Sequence, residues 1–211
     1  MKLEQNRRLV TYYSLLTQMR VNGGNDYINL VNSILSGKCN QQACLENYDF
    51  KVMSDFNRFN NLQQKLEDEF TLSRMIAGYV WEWKSKKDKS LYDMELDGVK
   101  KQWNYRLENW VLSEGADKQV GCIHTIQGFD LNYGFVIMGN EIGYDPESKE
   151  IIVRPENYYD QNGRKTASKE ELLEYIKHIY YVLMTRGIKG TYLYICDDNL
   201  RKYVSSIIGE I

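Results

Sequence analysis

The stretch from Val120 to Gly139, VGCIHTIQGFDLNYGFVIMG, carries the polar residues best placed for chemistry. Its first residues alternate with the period of a strand, and Gln127 and Gly128 then interrupt that pattern. Because glycine permits backbone conformations that a side chain would block, a tight turn is predicted there. Asp130 follows the turn, and an apolar run then predicts a second, buried strand. Polar groups beside a glycine at the end of a buried strand are typical of a ligand site.

Two arginines, Arg20 and Arg186, offer a second kind of chemistry. Arg20 follows a predicted strand, and Arg186 stands between a predicted helix and a predicted strand, so either side chain can extend out of the domain. The planar, permanently charged guanidinium matches the oxygen atoms of a phosphate group. Surface salt bridges remain the alternative for any single arginine.

A nucleophilic thiol is a weaker alternative. Cys122 and His124 would share a strand face, but residues two apart on a strand lie roughly 6–7 Å apart, too far for the hydrogen bond of a thiol–imidazole pair. The four cysteines lack zinc-ribbon spacing and the chain has two histidines, so no metal site is predicted. A small hydrolase that uses Cys122 or His124 is kept as a minor alternative.

Composition excludes several other classes of protein. Apolar residues make up 43% of the 211 residues, which argues against general disorder, and the net charge of −2 does not by itself indicate nucleic acid or a membrane as a partner. No apolar run approaches the roughly 20 residues of a membrane helix. The polar, basic start does not resemble a cleavable signal, so a reducing, cytoplasmic location is expected.

Alternating strands and helices must position these side chains. Apolar spacing predicts helices at residues 27–35, 57–70 and 199–208, and a further long helix that Ser168 and Glu171 begin with a capping box. Strands are predicted at residues 9–18, 48–53, 75–83 and 192–196. This order predicts an α/β fold, with a mostly parallel sheet flanked by helices. Residues 1–211 are interpreted as one domain.

The region from residue 84 to 118 differs in composition. It mixes aromatic residues with many charges and no clean period, which predicts a β-rich insertion of short strands and loops. Its lysine cluster is most often solvated surface, with contact to a phosphate backbone as the alternative. Just before it, Trp81 and Trp83 would share one strand face, where covering the sheet is favoured over stacking on bases.

Together these segments resemble the second RecA-like domain of superfamily 1 helicases. His124 to Asp130, HTIQGFD, looks like the fifth motif of that class, His-x-x-Gln/Lys-Gly-x-Glu before a hydrophobic strand. Leu183 to Lys189, LMTRGIK, looks like the sixth motif, and Leu16 to Arg20 before a helix is similar to the fourth. The phrases AGYVWEWKSK, VGCIHTIQGFDLNY and LMTRGIKGTYLY are similar to those of a family of bacterial proteins described as ATP-dependent DNA/RNA helicases and related to the helicase part of Schlafen proteins.

The resemblance implies roles for the motif residues at a bound nucleotide. Arg186 would be the arginine finger on the γ-phosphate of ATP, and Arg20 would be a second contact to that phosphate. The other residues implied to contact or sense the nucleotide are Gln18, Gln127, Gly128, Asp130 and Lys189.

The resemblance also implies a contact with DNA or RNA. His124 and Thr125 would lie nearest the strand, with Trp81 and Trp83 as candidate stacking residues.

Three departures from the pattern concern the neighbouring motifs. Asp130 stands where most relatives carry glutamate, Gly187 stands where many carry alanine, and the aromatic residue of the fourth motif is missing before Arg20.

The sequence contains no GxxxxGK[ST] phosphate loop and no predicted strand that ends in paired acids for Mg²⁺. The resemblance therefore implies that ATP and Mg²⁺ bind only together with an N-terminal RecA-like domain, which would precede Met1 or act in trans. The chain is interpreted as the C-terminal half of an ATP-dependent DNA/RNA helicase or translocase, expected to be inactive alone. The alternative is a stand-alone nucleic-acid or protein-binding module without catalysis.

Overall fold

A parallel sheet lies at the centre of the fold. The computed structural model describes residues 19–160 and 167–211, so the strand predicted at residues 9–18 lies outside the described residues. The strands of the sheet are β1 (Asp49–Val52), β2 (Ser73–Ala77), β5 (Val120–Gly121), β6 (Leu131–Met138) and β9 (Gly187–Ile195). These five strands pair in the order β1-β9-β6-β2-β5, and each neighbouring pair is parallel.

Helices cover both faces of this sheet. They are α1 (Gly24–Leu35), α2 (Phe56–Phe70), α3 (Lys169–Met184) and α4 (Asp198–Ile208). Along β6, Val136 and Met138 pack in a core with α1, α3 and α4, whereas Phe135 and Ile137 pack in a second core with α2. A strand buried on both faces has a continuous apolar run rather than an alternating one. The result is a mixed α/β fold of the RecA-like kind, as the sequence predicted.

Local side-chain bonds begin three of the helices, including α2, where the Asp55 carboxylate accepts from the Arg58 amide at 3.1 Å. At α3 the Ser168 hydroxyl accepts from the Glu171 amide at 3.2 Å and the Glu171 carboxylate accepts from the Ser168 amide at 2.8 Å, which confirms the capping box. At α4 the Asp197 carboxylate accepts from the Leu200 amide at 2.7 Å. No helix within the described ranges is long and apolar enough to span a membrane.

Within the described residues, two antiparallel hairpins accompany the sheet. One consists of β3 (Met94–Leu96) and β4 (Val99–Lys101), and the other of β7 (Ile142–Asp145) and β8 (Glu150–Val153). Two short 3-10 helices, Trp110–Leu112 and Ala116–Lys118, follow the first hairpin. Trp103 and Trp110 are both buried, one in each core, so the region from residue 84 to 118 packs against the sheet at two places.

The strand predicted at residues 75–83 ends at Ala77, so the second half of that prediction was wrong. Beyond Ala77 the backbone no longer bonds to a neighbouring strand. The Tyr79 carbonyl, for example, accepts a hydrogen bond from the Tyr159 amide at 2.8 Å. The alternating aromatic residues that predicted a strand therefore continue into a loop.

Gly121 and Gly134 both lie in strands of the sheet but have different surroundings. A Cβ atom at Gly121 would lie 2.2 Å from Cζ3 of the buried Trp110, whereas one at Gly134 would meet nothing nearer than Thr191 Oγ1 at 3.5 Å. We expect Gly121→Ala to lower the free energy of unfolding by about 1–3 kcal/mol, because the core would be overpacked. As the matched control, Gly134→Ala should change it by less than about 1 kcal/mol. Urea denaturation measures both, and equal stability of the two variants would contradict the packing of β5 against Trp110.

Candidate functional site

Residues 122–130 leave β5 and reach the start of β6 through a series of turns. The Cys122 carbonyl accepts from the amides of Thr125 and Ile126 at 3.1 and 3.2 Å, and the Thr125 hydroxyl oxygen accepts from the Cys122 amide at 2.9 Å. The strand predicted from Val120 to the turn at Gln127 and Gly128 is therefore wrong beyond Gly121, since these local bonds replace the bonds of a strand partner. We call residues 122–130 the crossover loop.

The crossover loop contains the glycine turn that the sequence predicted. Gly128 has a φ of +84°, and a Cβ atom built on it would meet nothing within 4 Å. Its backbone conformation, rather than a lack of space, therefore favours glycine at this position. Gln127 beside it is exposed.

The turn between α3 and β9 carries Arg186 and is held by two buried tyrosines. The Tyr27 hydroxyl donates to the Met184 carbonyl at 2.7 Å, and the Tyr48 hydroxyl donates to the Gly187 carbonyl at 2.8 Å. We call these two hydrogen bonds the tyrosine latch. Burial raises the pKa of the Tyr48 phenol to about 12, so this hydroxyl keeps its proton and remains a donor at neutral pH.

Two further features fix the same turn. The Thr191 hydroxyl donates to the Met184 carbonyl at 3.0 Å and also contacts the Tyr48 hydroxyl at 2.8 Å. At Gly187 a Cβ atom would lie 2.1 Å from the Gly190 carbonyl oxygen, so the backbone approach there excludes any side chain. The turn that precedes β9 is thus closely packed.

The latched turn and the crossover loop meet at the amino ends of β6 and β9. The Leu131 amide donates to the Arg186 carbonyl at 2.9 Å. Asp130 precedes Leu131, and one of its carboxylate oxygens lies 3.0 Å from Nε of Arg20. Three residues predicted from separate motifs, Arg20, Asp130 and Arg186, therefore lie at one edge of the sheet, which we call the arginine edge.

The arginine edge carries more positive than negative charge. The pKa of Arg186 is lowered, first by burial and then by the nearby charge of Arg20, while Asp130 opposes the shift. Nε of Arg186 is buried and has no hydrogen-bond partner among the described residues. An unsatisfied charged donor next to a second guanidinium is unfavourable in the free protein, and an anion would relieve both effects.

A pocket of about 330 Å³ lies beside Arg186. The crossover loop contributes His124 and Gln127 to its lining, and α3 contributes His178. Both histidines of the chain therefore line the same pocket. His124 is exposed, and its ring lies 5.9 Å from that of Tyr79, measured between centroids.

Other residues predicted for the site lie elsewhere or face inward. The Thr125 side chain is 2% exposed and bonds within the crossover loop, so it does not present its hydroxyl to a nucleic acid, and that expectation is corrected. Lys189 Nζ lies over the Phe70 ring, 5.1 Å from its centroid, instead of extending from the turn. Gln18 lies outside the described residues.

The two candidate stacking residues lie in the loop after β2, so the shared strand face expected for them is absent. Trp81 is partly buried against Trp103, with the ring centroids 6.2 Å apart. Trp83 is partly buried as well, and Lys86 Nζ lies 5.4 Å from the centroid of its ring. Both tryptophan rings therefore cover part of the core that packs against α2.

Two groups of residues at the site were not predicted from the sequence. The latch tyrosines gave no sequence signal, because Tyr27 and Tyr48 bond to residues 157 and 139 positions away. The second group is the pocket wall on α3, which includes Tyr175, Ile179 and Val182. Their spacing of four and three residues, continuing towards Arg186, places them on one helix face and could have indicated this wall.

The geometry does not support a thiol–imidazole pair. Cys122 is 1% exposed, and its Sγ lies 3.1 Å from the Tyr79 hydroxyl. Burial, and then the neighbouring thiol, raise the pKa of Tyr79. No hydrogen bond between Cys122 and His124 occurs among the described contacts. Over residues 19–160 and 167–211, no three His, Cys, Asp or Glu side chains are grouped so that they could hold a metal ion.

The buried carboxyl group of Glu141 lies just beyond the carboxyl end of β6, at the edge of the sheet opposite the arginine edge. The Tyr180 hydroxyl donates to Oε1 of Glu141 and accepts from the Gly139 amide at 3.2 Å. Oε2 of Glu141 has no hydrogen-bond partner among the described atoms. Burial raises the pKa of Glu141 to about 7, although the Tyr180 bond and the charge of Arg154 lower it.

Comparison with known proteins identifies the family of this chain. The parallel sheet with flanking helices defines a RecA-like α/β domain. Residues 2–197 match the family model of the Schlafen group 3 DNA/RNA helicase domain, and the chain belongs to that family. The family is thus a helicase-related one. The chain is also 31% identical to an uncharacterized protein of Saccharomyces cerevisiae over 215 residues, which covers 90% of this chain and 47% of the yeast protein. The chain thus spans about half the length of that relative.

The buried Glu141 predicts a pH dependence of stability. In the unfolded chain its carboxyl ionises near 4.5, whereas in the folded protein it stays protonated until about 7. The folded state therefore binds the extra proton between these values, and the stability contributed by this group is lost as pH rises through that window. Glu141→Gln should remove this loss, so its stability relative to the wild type should rise by on the order of 3 kcal/mol from pH 4.5 to pH 8.

Denaturant unfolding of both proteins across this pH range measures the difference. The control is Glu150→Gln, which alters an exposed carboxyl on β8. A constant difference between Glu141→Gln and the wild type at all pH values would show that Glu141 is not neutral in the folded protein.

Proposed function

We propose that this chain is the C-terminal, second RecA-like half of a superfamily 1 DNA/RNA helicase or translocase. In this proposal Arg186 and Arg20 contact the phosphates of ATP across a cleft from a domain that carries the phosphate loop. The observation that carries it is the buried Nε of Arg186, which has no hydrogen-bond partner among the described residues and lies in the field of Arg20. A phosphate oxygen would satisfy the donor and neutralise the paired positive charges.

The arginine edge fits the phosphates but not the metal of Mg²⁺–ATP. Two guanidinium groups can stabilise charge on a transferring phosphoryl group. The acid beside them, Asp130, already pairs with Arg20 at 3.0 Å. We therefore assign Mg²⁺ ligation to the phosphate-loop domain, and ATP when bound would supply the phosphoryl transfer that drives movement.

The crossover loop is the element that would link nucleotide state to the strand. Asp130 at one end belongs to the arginine edge, and His124 six residues earlier lines the pocket. A movement of Arg20 on phosphate contact would act on Asp130 through their ion pair. Buried side chains anchor the loop between these ends, because Ile126 and Thr125 are 0% and 2% exposed.

DNA or RNA is the proposed partner at the other end of the crossover loop. His124 is exposed there beside the Tyr79 ring, whereas the Thr125 hydroxyl is turned inward and is not proposed as a contact. Exposed imidazole and aromatic rings can stack on unpaired bases. Since the chain spans 47% of its yeast relative, these activities are proposed for the complete assembly.

A stand-alone binding module is the second candidate. The loop region after β2 favours it, because two lysines there lie over aromatic rings: Lys86 over Trp83 at 5.4 Å and Lys89 over Tyr105 at 4.1 Å. Surfaces that combine cations with aromatic rings bind single strands without any need for ATP. The two candidates differ in whether Arg186 has a catalytic role.

ATP turnover tests the arginine finger. The isolated chain is expected to hydrolyse no ATP, since it contains no phosphate loop. Combined with the phosphate-loop domain encoded upstream in frame or by a neighbouring gene, it should stimulate turnover, and Arg186→Ala should lower the stimulated rate by about 10³-fold or more. Lys202→Ala, which removes an exposed cation from α4, should leave the rate unchanged.

Three results would decide against parts of this proposal. Full stimulated turnover by Arg186→Ala would remove the finger assignment. Turnover by the isolated chain above background would contradict a half-site. No stimulation by the wild type, together with nucleic-acid binding, would favour the stand-alone module. Thermal unfolding of each variant establishes that lost turnover does not reflect lost folding.

A further inference from the structure

The pocket beside Arg186 has a wall that none of the helicase-like motifs covers. Four of its eight lining residues, Tyr175, His178, Ile179 and Val182, lie on α3. Steps of three and four residues place them on one face of the helix. Ile179 is 3% exposed, whereas Tyr175 is 40% exposed, so the wall is apolar at its base and aromatic at its rim.

The lining combines an apolar base with polar groups that do not repel phosphate. Ile123 from the crossover loop joins Ile179 and Val182 as the apolar part. Gln127 adds an amide that can both donate and accept, and none of the eight lining residues is acidic. Arg186 supplies a permanent positive charge in the lining, whereas Asp160, whose charge acts on the neighbouring Tyr79 and Tyr158, lies outside the lining.

The size of the pocket suits one ring system. Its volume of about 330 Å³ lies at the lower end of the roughly 300–1,000 Å³ of small-ligand sites. The rings of Tyr175, His124 and His178 surround it, and aromatic and imidazole rings stack on bases. The lining offers one permanent cation, which matches a phosphodiester better than the several charges of a free triphosphate.

We propose that this pocket binds one base of single-stranded DNA or RNA, and that Tyr175 and His178 on α3 are binding residues for it. The base would rest on the apolar floor, with Gln127 at its edge. This inference rests on the proposed function, because a helicase-type domain must hold a strand. Arg186 forms a wall shared by the pocket and the arginine edge, so a bound base would lie directly beside the proposed finger.

Fluorescence anisotropy of labelled dT10 and rU10 with the 211-residue chain, in the absence of ATP, tests the proposal. Tyr175→Leu keeps an apolar side chain but removes the stacking ring, and it should weaken binding about tenfold. His178→Ala should also weaken binding. The matched control is Tyr144→Leu, because Tyr144 is partly exposed on β7 and lies outside both the pocket and the lysine-bearing loop after β2.

The outcomes separate this proposal from its competitors. Equal affinity of the wild type, Tyr175→Leu and His178→Ala would overturn it, as would wild-type affinity too weak to measure. Competition by thymidine 5′-monophosphate that is as strong, per nucleotide, as competition by unlabelled dT10 would assign the pocket to a free nucleotide instead. If Tyr175→Leu unfolds, the exposed His178 decides alone. Because no ATP is present, a failure here leaves the turnover test of Arg186 independent.

Discussion

The hydrogen bonds that hold the carbonyl groups of the α3–β9 turn are the constraint on which the candidate site depends. A helix that ends in the interior leaves carbonyl oxygens without partners, and each buried one left unpaired costs about 1–3 kcal/mol. Here Tyr27 and Tyr48 supply the donors to Met184 and Gly187. Arg186 lies between Met184 and Gly187 in the chain. The tyrosine latch therefore fixes the backbone from which the Arg186 side chain extends. Tyr27 and Tyr48, which come early in the described chain, thus position Arg186, which comes late in it.

The charged groups at the two ends of β6 respond differently to burial. At the arginine edge, Arg20 and Arg186 stay charged beside one carboxylate, and the strain of that arrangement is left for a ligand to relieve. At the other edge, burial raises the pKa of Glu141 to about 7, and Tyr180 bonds one of its oxygens while the other has no partner among the described atoms. A carboxyl can lose its charge by taking up a proton, whereas a guanidinium keeps its charge, so only an anion relieves the cost at the arginine edge. This contrast is why we place function at the arginine edge.

The features that the sequence predicted well are those with local causes. The capping box of Ser168 and Glu171, the glycine turn at Gly128 and the doubly buried β6 each follow from neighbouring residues. The ends of β2 and β5 do not, because a strand stops where its partners stop. Thr125 shows the point at a single residue: its position favoured a strand face, yet its hydroxyl bonds back to Cys122 and ends the strand. The latch was equally unpredictable, since both of its bonds span more than a hundred residues.

The most direct test of this account is the nuclear magnetic resonance of the arginine Nε–H groups during titration with inorganic tripolyphosphate. We predict that the signals of Arg186 and Arg20 shift and saturate together, and that Tyr48→Phe, which removes one latch bond, weakens this binding several-fold. Arg201 on α4, which pairs with Asp198 at 2.6 Å, serves as the internal reference. If the Arg186 signal moved no more than that of Arg201, or if Tyr48→Phe bound the anion as well as the wild type, the central claim would be contradicted.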